Sequence, residues 1–488
     1  MIALSQEGYS NFSVVGRRED LFMPKQSSTD LGTGNVRKLL FKLALPTITS
    51  QIVNMLYNLV DRVYIGHMAP VDSVGKLALT GVGVCLPIIM VISAFAALMA
   101  MGGAPRASIH EGREDVQSAQ RIMGNCFTML VCAAAVLTVV IRLCARPLLL
   151  TFGASKNTIG YAMDYMGIYS LGTIFVLLTL GMNAFITAQG FTTVSMKTVI
   201  IGAVLNTILD PIFIFGLGMG VRGAALATIL SQTVSAAWVL CFLSGPKTKW
   251  RLRRENLRPR ASIVLPCLAL GLSPFIMQAT ESLISICFNS SLLKYGGDVA
   301  VGAMTVLTSI MQFAMMPLQG LTQGSQPIIS YNYGARNVDR VREAFQTLLI
   351  SCVTYSMTLW ALVQLFPRVF ILIFNSNQEL VSYAVWAVRI YMAATGIFGI
   401  QFACQQTFVA LGNAKTSLFL AVLRKIILLI PLIYILPHFF SNQVFAVFLA
   451  EPVADFLAVC ATAATFAVQF KKTIRELEAP AKNWESET

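Results

Sequence analysis

Two stretches of this chain, Leu86–Ala104 and Ile122–Ile141, continue for about the thickness of a bilayer without one charged residue. A helix needs about 20 predominantly apolar residues to cross the hydrocarbon core. Hydrocarbon offers the backbone no hydrogen bonds, so a spanning chain must be helix or closed barrel. The rest of the sequence follows suit. Of 488 residues, 56% are hydrophobic and 12% are charged, where soluble domains carry about 25% charge. Such a chain has too little polar surface to cover itself in water, and the sequence predicts an all-α integral membrane protein. Hydropathy places spans near 41–64, 78–101, 122–143, 162–187, 194–215 and 223–243, and again near 266–290, 300–322, 345–366, 383–410, 416–436 and 443–469, twelve transmembrane helices in all.

The two sets of six are copies. Pro105 and Pro327, Gly112 and Gly334, Phe152 and Phe374, Tyr161 and Tyr383, Tyr169 and Tyr391, and Gly190 and Gly412 each lie 222 positions apart. The stretch GGAPRASIHEGREDV at 102–116 therefore falls on GSQPIISYNYGARNV at 324–338. In the first helix of each copy the offset is 228, which relates Pro46 to Pro274 and Asp61 to Asn289. An even number of spans gives both copies one orientation, so they form two parallel six-helix repeats. Repeats of this kind place a transport site between the halves near the midplane. The chain divides into a polar leader (1–36), an N-terminal lobe (37–244), a basic linker (245–262), a C-terminal lobe (263–470) and a tail (471–488).

The formal charge is +13, and much of it falls in one run between hydrophobic blocks: Lys247, Lys249, Arg251, Arg253, Arg254, Arg258 and Arg260. Apart from Trp250 no aromatic residues interleave with it, so the run reads as the positive-inside bias of a cytoplasmic loop and no nucleic-acid partner is expected. With the N-terminus inside, most Lys and Arg fall in cytoplasmic segments, and only Arg62, Arg389, Arg424 and Lys425 fall in spans. Both termini are then cytoplasmic. The first 36 residues lack a signal-peptide pattern and read as a cytoplasmic leader. Ten cysteines are scattered without a CxxC, and the three histidines, His67, His110 and His438, lie far apart. That excludes zinc spacing and argues against a catalytic centre. The chain is not expected to be an enzyme or to carry a cofactor.

An ionised group at the membrane centre costs about 2.5–3.5 kcal/mol on the insertion scale, which makes each one a functional candidate. The spans hold Asp61, Asp210, Glu281, Glu451 and Asp455, with Asp164 near an external end. In LNTILDPIF, Asn206 and Asp210 are four apart and share a helical face. Pro211 follows, and its missing N–H frees the Thr207 carbonyl. Oxygen atoms gathered in this way suit a hard cation. If Asp61 faces the same cavity, two carboxylates in a poorly solvated pocket cannot both ionise cheaply, and one would carry a proton near neutral pH. Glu451 and Asp455, four apart across Pro452, suggest a second polar face. Asn54, Asn58, Asn183, Gln405 and Gln406 add neutral polarity, and 21 Met with 30 Phe offer adaptable apolar wall.

These residues bring a family into view. LALPTI with Pro46, NLVDRVYIGH with Asp61, GGAPRASIHEGR after the second span, LNTILDPIF with Asn206 and Asp210, and GAALATILSQ with Thr228 occur together. The chain resembles the multidrug and toxic compound extrusion (MATE) transporters over nearly its whole length after residue 36, most nearly their bacterial and archaeal branch with a cation site in the N-terminal lobe. The resemblance implies a V-shaped pair of lobes around a central cavity. It implies export of amphipathic, often cationic, small molecules across the plasma (inner) membrane in exchange for H⁺ or Na⁺. Asp61, Asn206, Asp210 and Thr228 would line the coupling-cation site, and would ligate the metal if the ion is Na⁺. Pro46 would mark a bend in the first helix. Asn183, with Asn54, Asn58 and Glu281, would line the substrate pocket. Some relatives place coupling carboxylates in the C-terminal lobe, where Glu281 is the nearest match. In that lobe Asn289 replaces the counterpart of Asp61 and Leu428 lies at the 222 offset from Asn206, so the C-terminal copy reads as having lost the cation constellation.

The alternatives are weaker. A lipid-linked oligosaccharide flippase of the same superfamily would want a cationic cavity for phosphate, which only Arg424 and Lys425 could supply. A major-facilitator transporter shares twelve helices, but GREDV at 112–116 is a poor form of its basic loop. The chain is expected to act as a monomer.

Overall fold

The structure, a computed structural model, describes residues 30–67, 72–374 and 377–479. Most of the sequence-assigned leader, and the end of the tail, lie outside the described residues. The N-terminal half forms α1 (Val36–Gly66), α2 (Asp72–Gly112), α3 (Val116–Thr151), α4 (Ile159–Ala188), α5 (Thr192–Gly216) and α6 (Val221–Ser244). A helical run then covers Ala261–Gly334 but breaks at Gly297, whose φ of 66° and ψ of −163° no helix allows. This divides the run into α7 (261–296) and α8 (298–334). There follow α9 (Val338–Leu365), α10 (Gln378–Tyr391 and Thr395–Ala410, bent by 46° between them), α11 (Ala414–His438) and α12 (Gln443–Glu478). With the run divided and the bent pair counted once, twelve spans stand among the described residues.

The repeat extends to backbone detail. Glu114 and Arg336, 222 apart, both take positive φ (65° and 54°) in the loops after α2 and α8, and Gly190 and Gly412 match likewise (85° and 76°). Short 3₁₀ turns interrupt α4 at Ser170–Gly172 and α10 at Thr395–Ile397. Side-chain caps close several helix starts: Asn35 accepts from the Lys38 amide, Asp115 from Ser118, Asn413 from Thr416 and Asn442 from Phe445. Each leaves fewer orphan donors at a helix end.

Each lobe has one large hydrophobic core, around Met123, Leu130 and Phe185 in the first and Phe288, Leu348 and Phe448 in the second, and a smaller cluster around Phe345, Phe408 and Phe466 lies in the C-terminal half. The first helix of each lobe begins in the other. Leu39, Leu40, Leu43 and Ala44 at the start of α1 are buried in the C-terminal core, while Ile65 near its end is buried in the N-terminal core. Cys267 at the start of α7 packs in the N-terminal core, and Ile284 and Phe288 further along pack in the C-terminal one. Pro46 and Pro274 stand where the two helices change sides. Leu31, assigned by sequence to the polar leader, is buried in the C-terminal core because the Asn332 and Arg340 side chains both donate to its carbonyl (2.9 and 3.1 Å).

The lobes meet at the face that holds both described ends of the chain. Arg340 donates to the Gly34 carbonyl (2.7 Å), and neighbouring Arg336 donates to the carbonyls of Leu477 and Ala479. Backbones touch here. A Cβ on Gly112 would lie 2.0 Å from the Tyr331 oxygen, and one on its repeat mate Gly334 would lie 2.0 Å from the Ile109 oxygen. Only glycine permits that approach. Nearer the centre, Thr47 donates to the Gly320 carbonyl (2.6 Å), Gln51 to Gln323 (3.1 Å), and Phe95 meets Phe275 edge-on. The linker is not the freely solvated loop its charge suggests. Trp250 is fully buried, Gln189 Oε1 accepts from Thr248 Oγ1 and from the amides of Lys249 and Trp250, and Lys249 Nζ pairs with Glu111 (2.9 Å). Its Arg251, Arg253, Arg254, Arg258 and Arg260 remain exposed.

A side chain at Gly112 or Gly334 must push the lobes apart, and overpacking of this kind costs about 1–3 kcal/mol. Gly334→Val is expected to lower the thermal midpoint of the purified protein by several degrees. Gly167→Val, where a Cβ meets open space, should leave the midpoint unchanged; equal effects at both positions would contradict the close approach.

Candidate functional site

On α1, Asn54, Tyr57, Asn58 and Asp61 recur at helical spacing, so they fall along one side. Asn58 donates to the Asn54 carbonyl (2.6 Å). Across from α1 stands α5, where Asn206 Nδ2 donates to Asp210 Oδ1 at 3.2 Å and both side chains are buried. Pro211 ends the regular helix, and Ile212–Gly216 continue as a wider π turn. Asp61 and Asp210 interact electrostatically, and Tyr57 feels both carboxylates. Thr228, on α6, bonds back to the Ala224 carbonyl (3.0 Å) and interacts with the Tyr165 hydroxyl of α4. The structure thus gathers Asp61, Asn206 and Asp210, with Thr228 joined through Tyr165, which itself feels Asp61.

What marks the cluster chemically is what its oxygens lack. Asp61 Oδ1, Asn206 Oδ1 and Asp210 Oδ2 are buried with no hydrogen-bond partner. A buried acceptor without a donor costs about 1–3 kcal/mol, more if charged. Oxygens of this kind, two of them on carboxylates, are what a hard cation takes as ligands, and a proton would relieve the same cost. Among the described residues no group of three or more His, Cys, Asp or Glu forms a metal site, so the cluster does not suit zinc. Asn183 sits apart: its Nδ2 donates to the Ser195 carbonyl (3.3 Å), its Oδ1 has no partner, and no described hydrogen bond joins it to the aspartates.

In the C-terminal lobe, repeated tripeptides offer a second register beside the 222 offset that pairs Leu428 with Asn206. Ala421-Val422-Leu423-Arg424 repeats Ala203-Val204-Leu205-Asn206, which sets Arg424 opposite Asn206. Two extra residues precede Pro431, the counterpart of Pro211, and the π stretch Leu423–Leu429 absorbs them. Likewise Leu449-Ala450-Glu451 repeats Leu226-Ala227-Thr228, which sets Glu451 opposite Thr228 and Asp455 opposite Gln232. Arg424 Nε donates to Asp455 (2.7 Å), its NH2 reaches Glu451 (3.4 Å), and the guanidinium lies over the Phe398 ring (4.4 Å). Lys425 pairs with Glu281 at 2.7 Å. The C-terminal copy therefore keeps a polar cluster at these positions, different in charge from that of the N-terminal lobe. It carries its own cations as side chains. The signal was the repeated Ala-Val-Leu, hidden by a gap that a fixed offset cannot cross. Tyr57, four residues before Asp61, and Tyr165 were also missed, since a tyrosine in a span carries no charge to advertise it.

An apolar recess of about 540 Å³, lined by Met357, Trp360, Ile397, Pro452 and Phe456 among others, lies between α9, α10 and α12. It includes none of these charged groups.

Known proteins bear on the geometry at this point. The MatE family profile matches residues 46–212 and 274–435, one segment in each lobe. The chain belongs to the MatE family. It is similar to the multidrug export protein MepA of Staphylococcus haemolyticus (strain JCSC1435), at 23% identity over 443 residues that cover 90% of this chain and 95% of that one. MepA of Staphylococcus aureus (strain NCTC 8325 / PS 47) is 22% identical, with 89% and 93% covered. Among solved structures, a MATE protein in a bent conformation superposes with a TM-score of 0.85 at 21% identity, covering 91% of this chain and 98% of that one. An outward-facing multidrug resistance MATE transporter of the MOP superfamily gives 0.85 at 21%, with 94% and 100% covered. Those likenesses establish the fold, a twelve-helix membrane transporter in two repeats, and the membership accounts for the resemblance read from Pro46, Asp61 and LNTILDPIF.

An ion that satisfies these oxygens stabilises the fold by mass action. The melting midpoint of the parent protein should rise on addition of Na⁺ or on acidification. Asp210→Asn should raise the ion-free midpoint, by an amount reflecting about 1–3 kcal/mol, and flatten the response. An undiminished response in the variant would show that the ion binds elsewhere.

Proposed function

We propose that this protein is a secondary active exporter of amphipathic, often cationic, small molecules, exchanging them for H⁺ or Na⁺ by alternating access. The observation that carries the reading is the set of three buried, unpartnered oxygens on Asp61, Asn206 and Asp210. They lie in a chain whose relatives include named multidrug export proteins. On this reading the ion binds Asp61 and Asp210 from outside and stabilises a state of weaker substrate affinity. Substrate leaves outward, and the ion is then released inward. Because α1 has its beginning in one lobe and Asp61 in the other, a change of charge at Asp61 acts on a helix anchored across the interlobe contact. Pro46, where the hydrogen-bond ladder lacks a donor, is the hinge. Asn54, Asn58 and Asn183 offer polar contacts to substrate, and Glu281 offers a counter-charge. We place the protein as a monomer in the plasma membrane, with the shared face of the termini and its exposed arginines in the cytoplasm.

The flippase reading loses its support in the C-terminal lobe. Arg424 and Lys425 are committed to Asp455, Glu451 and Glu281, which leaves them unsuited to a lipid phosphate.

In proteoliposomes, an inward Na⁺ or proton gradient should drive transport of a cationic dye such as ethidium against its own gradient, and only one of the two gradients should do so. Asp61→Asn and Asp210→Asn should each cut the driven rate about tenfold or more. Dye movement indifferent to both gradients, or variants equal to the parent, would make the aspartates structural.

A further inference from the structure

The recess of about 540 Å³ between α9, α10 and α12 belongs to neither charged cluster. Its lining is apolar throughout, with Met357 and Trp360 on α9, Ala394 and Ile397 on α10, and Pro452 and Phe456 on α12 among others. Ordered water needs two to four polar partners and finds none in such a wall. Met357 and Phe456 are themselves exposed, so the recess opens on the outside of the lobe. There α9 carries no charged residue from 344 to 365, and its Ile350, Leu362 and Leu365 are exposed as well. A helix that shows apolar side chains over such a length faces hydrocarbon. At 1.5 Å per residue, Pro452 and Ala394 lie about 14 and 24 Å along α12 and α10 from their starts at Gln443 and Gln378. That is the depth of acyl chains, not of headgroups.

The other lobe shows what this place looks like when the protein fills it. The 222 offset of Tyr169 and Tyr391 sets Ala394 opposite Gly172, and the Leu-Ala-Glu register sets Pro452 opposite Ile229. Ile229 is buried, and a Cβ on Gly172 would fall 2.3 Å from its Cγ1, so the isoleucine seats directly on the glycine. In the C-terminal lobe the knob is a proline curled back on its own backbone, and the hole stays open. We propose that this recess is a binding site for one acyl chain of a membrane phospholipid, which takes the place that Ile229 fills in the N-terminal lobe. A carbon-lined void lacks partner atoms on its open side. Helices in lipid cohere largely through such contacts, and the acyl chain supplies them. The two halves of α10 meet at 46° beside the recess, and Phe398, next to Ile397, lies under the Arg424 guanidinium. Pro452 stands between Glu451 and Asp455 in sequence. The seated chain therefore braces the two helices that frame the charged cluster. The inference stands on packing and membrane embedding and does not depend on the export reading.

Trp360 in the wall is a built-in reporter. The purified full-length protein in detergent micelles is titrated with phosphatidylcholine brominated at mid-chain, and the quenching that disappears in Trp360→Phe is assigned to Trp360. That quenching should saturate at a single lipid per protein. Phosphatidylglycerol with the same chains should bind equally well, because the wall reads a chain and not a headgroup. Ala394→Leu and Pro452→Ile, the second restoring the residue of the N-terminal lobe, should each weaken the saturating component about tenfold, as overpacking does. Both should also raise the melting midpoint in lipid-free micelles and remove the further rise that phosphatidylcholine gives the parent, which tells a filled recess from a misfolded variant. Quenching that grows with lipid and never saturates, or that both filled variants show undiminished, reports contact with annular lipid only and overturns the proposal. A strong preference for one headgroup overturns it too.

Discussion

Hydrocarbon cannot hydrogen-bond, and that deficit governs where every polar group in this protein stands. It forces the backbone into twelve helices and draws Asp210, Arg424, Lys425, Glu451 and Asp455 into the interiors of the two lobes. It also raises the stakes of each oxygen left without a partner. Water would make Asp61, Asn206 and Asp210 unremarkable neighbours. In a membrane, their unpaired oxygens are a standing cost, and on the exporter reading a small cation or a proton removes it. The same deficit explains the glycine contacts of Gly112 and Gly334, since two helices that gain little from excluding lipid hold together best where backbones touch.

The two lobes answer one problem in two ways. They share a helical scaffold, matched to single residues at Glu114 and Arg336, yet the polar cluster differs. Where the N-terminal lobe has Asn206, Thr228 and Gln232, the C-terminal lobe has Arg424, Glu451 and Asp455. The N-terminal cluster leaves oxygens of Asp61, Asn206 and Asp210 without donors and holds no cationic side chain from its own set. The other supplies guanidinium and ammonium groups from its own chain, with Glu451 Oε2 left without a partner. An internal repeat thus carries two polar clusters of different charge make-up on one scaffold.

Much of this was legible in sequence, and the limits are physical. Apolar runs such as Leu86–Ala104 fixed the helices, and the pairs from Pro105/Pro327 to Gly190/Gly412 fixed the repeat. The face shared by Asn206 and Asp210 followed from a spacing of four. Helical period, however, does not report which lobe a helix joins, so the crossing of α1 and α7 at Pro46 and Pro274 went unread, as did the burial of Leu31. The arginine network was obscured by two added residues that a π stretch absorbs without breaking the helix. Trp250 looked like a stray aromatic in a basic loop, because nothing local shows that Gln189 accepts three hydrogen bonds from that segment.

The central claim is that ion and substrate compete through opposed preferences for the two states of one molecule. Thermodynamic linkage then requires reciprocity: the factor by which the ion weakens substrate binding must equal the factor by which substrate weakens ion binding. The direct measurement is a pair of titrations on the same preparation, tetraphenylphosphonium affinity across a range of Na⁺ and pH, and ion affinity across a range of tetraphenylphosphonium. The account predicts equal coupling factors greater than one for a single ion, both collapsing to one in Asp210→Asn. A coupling factor of one in the parent protein, with both ligands bound, would contradict it.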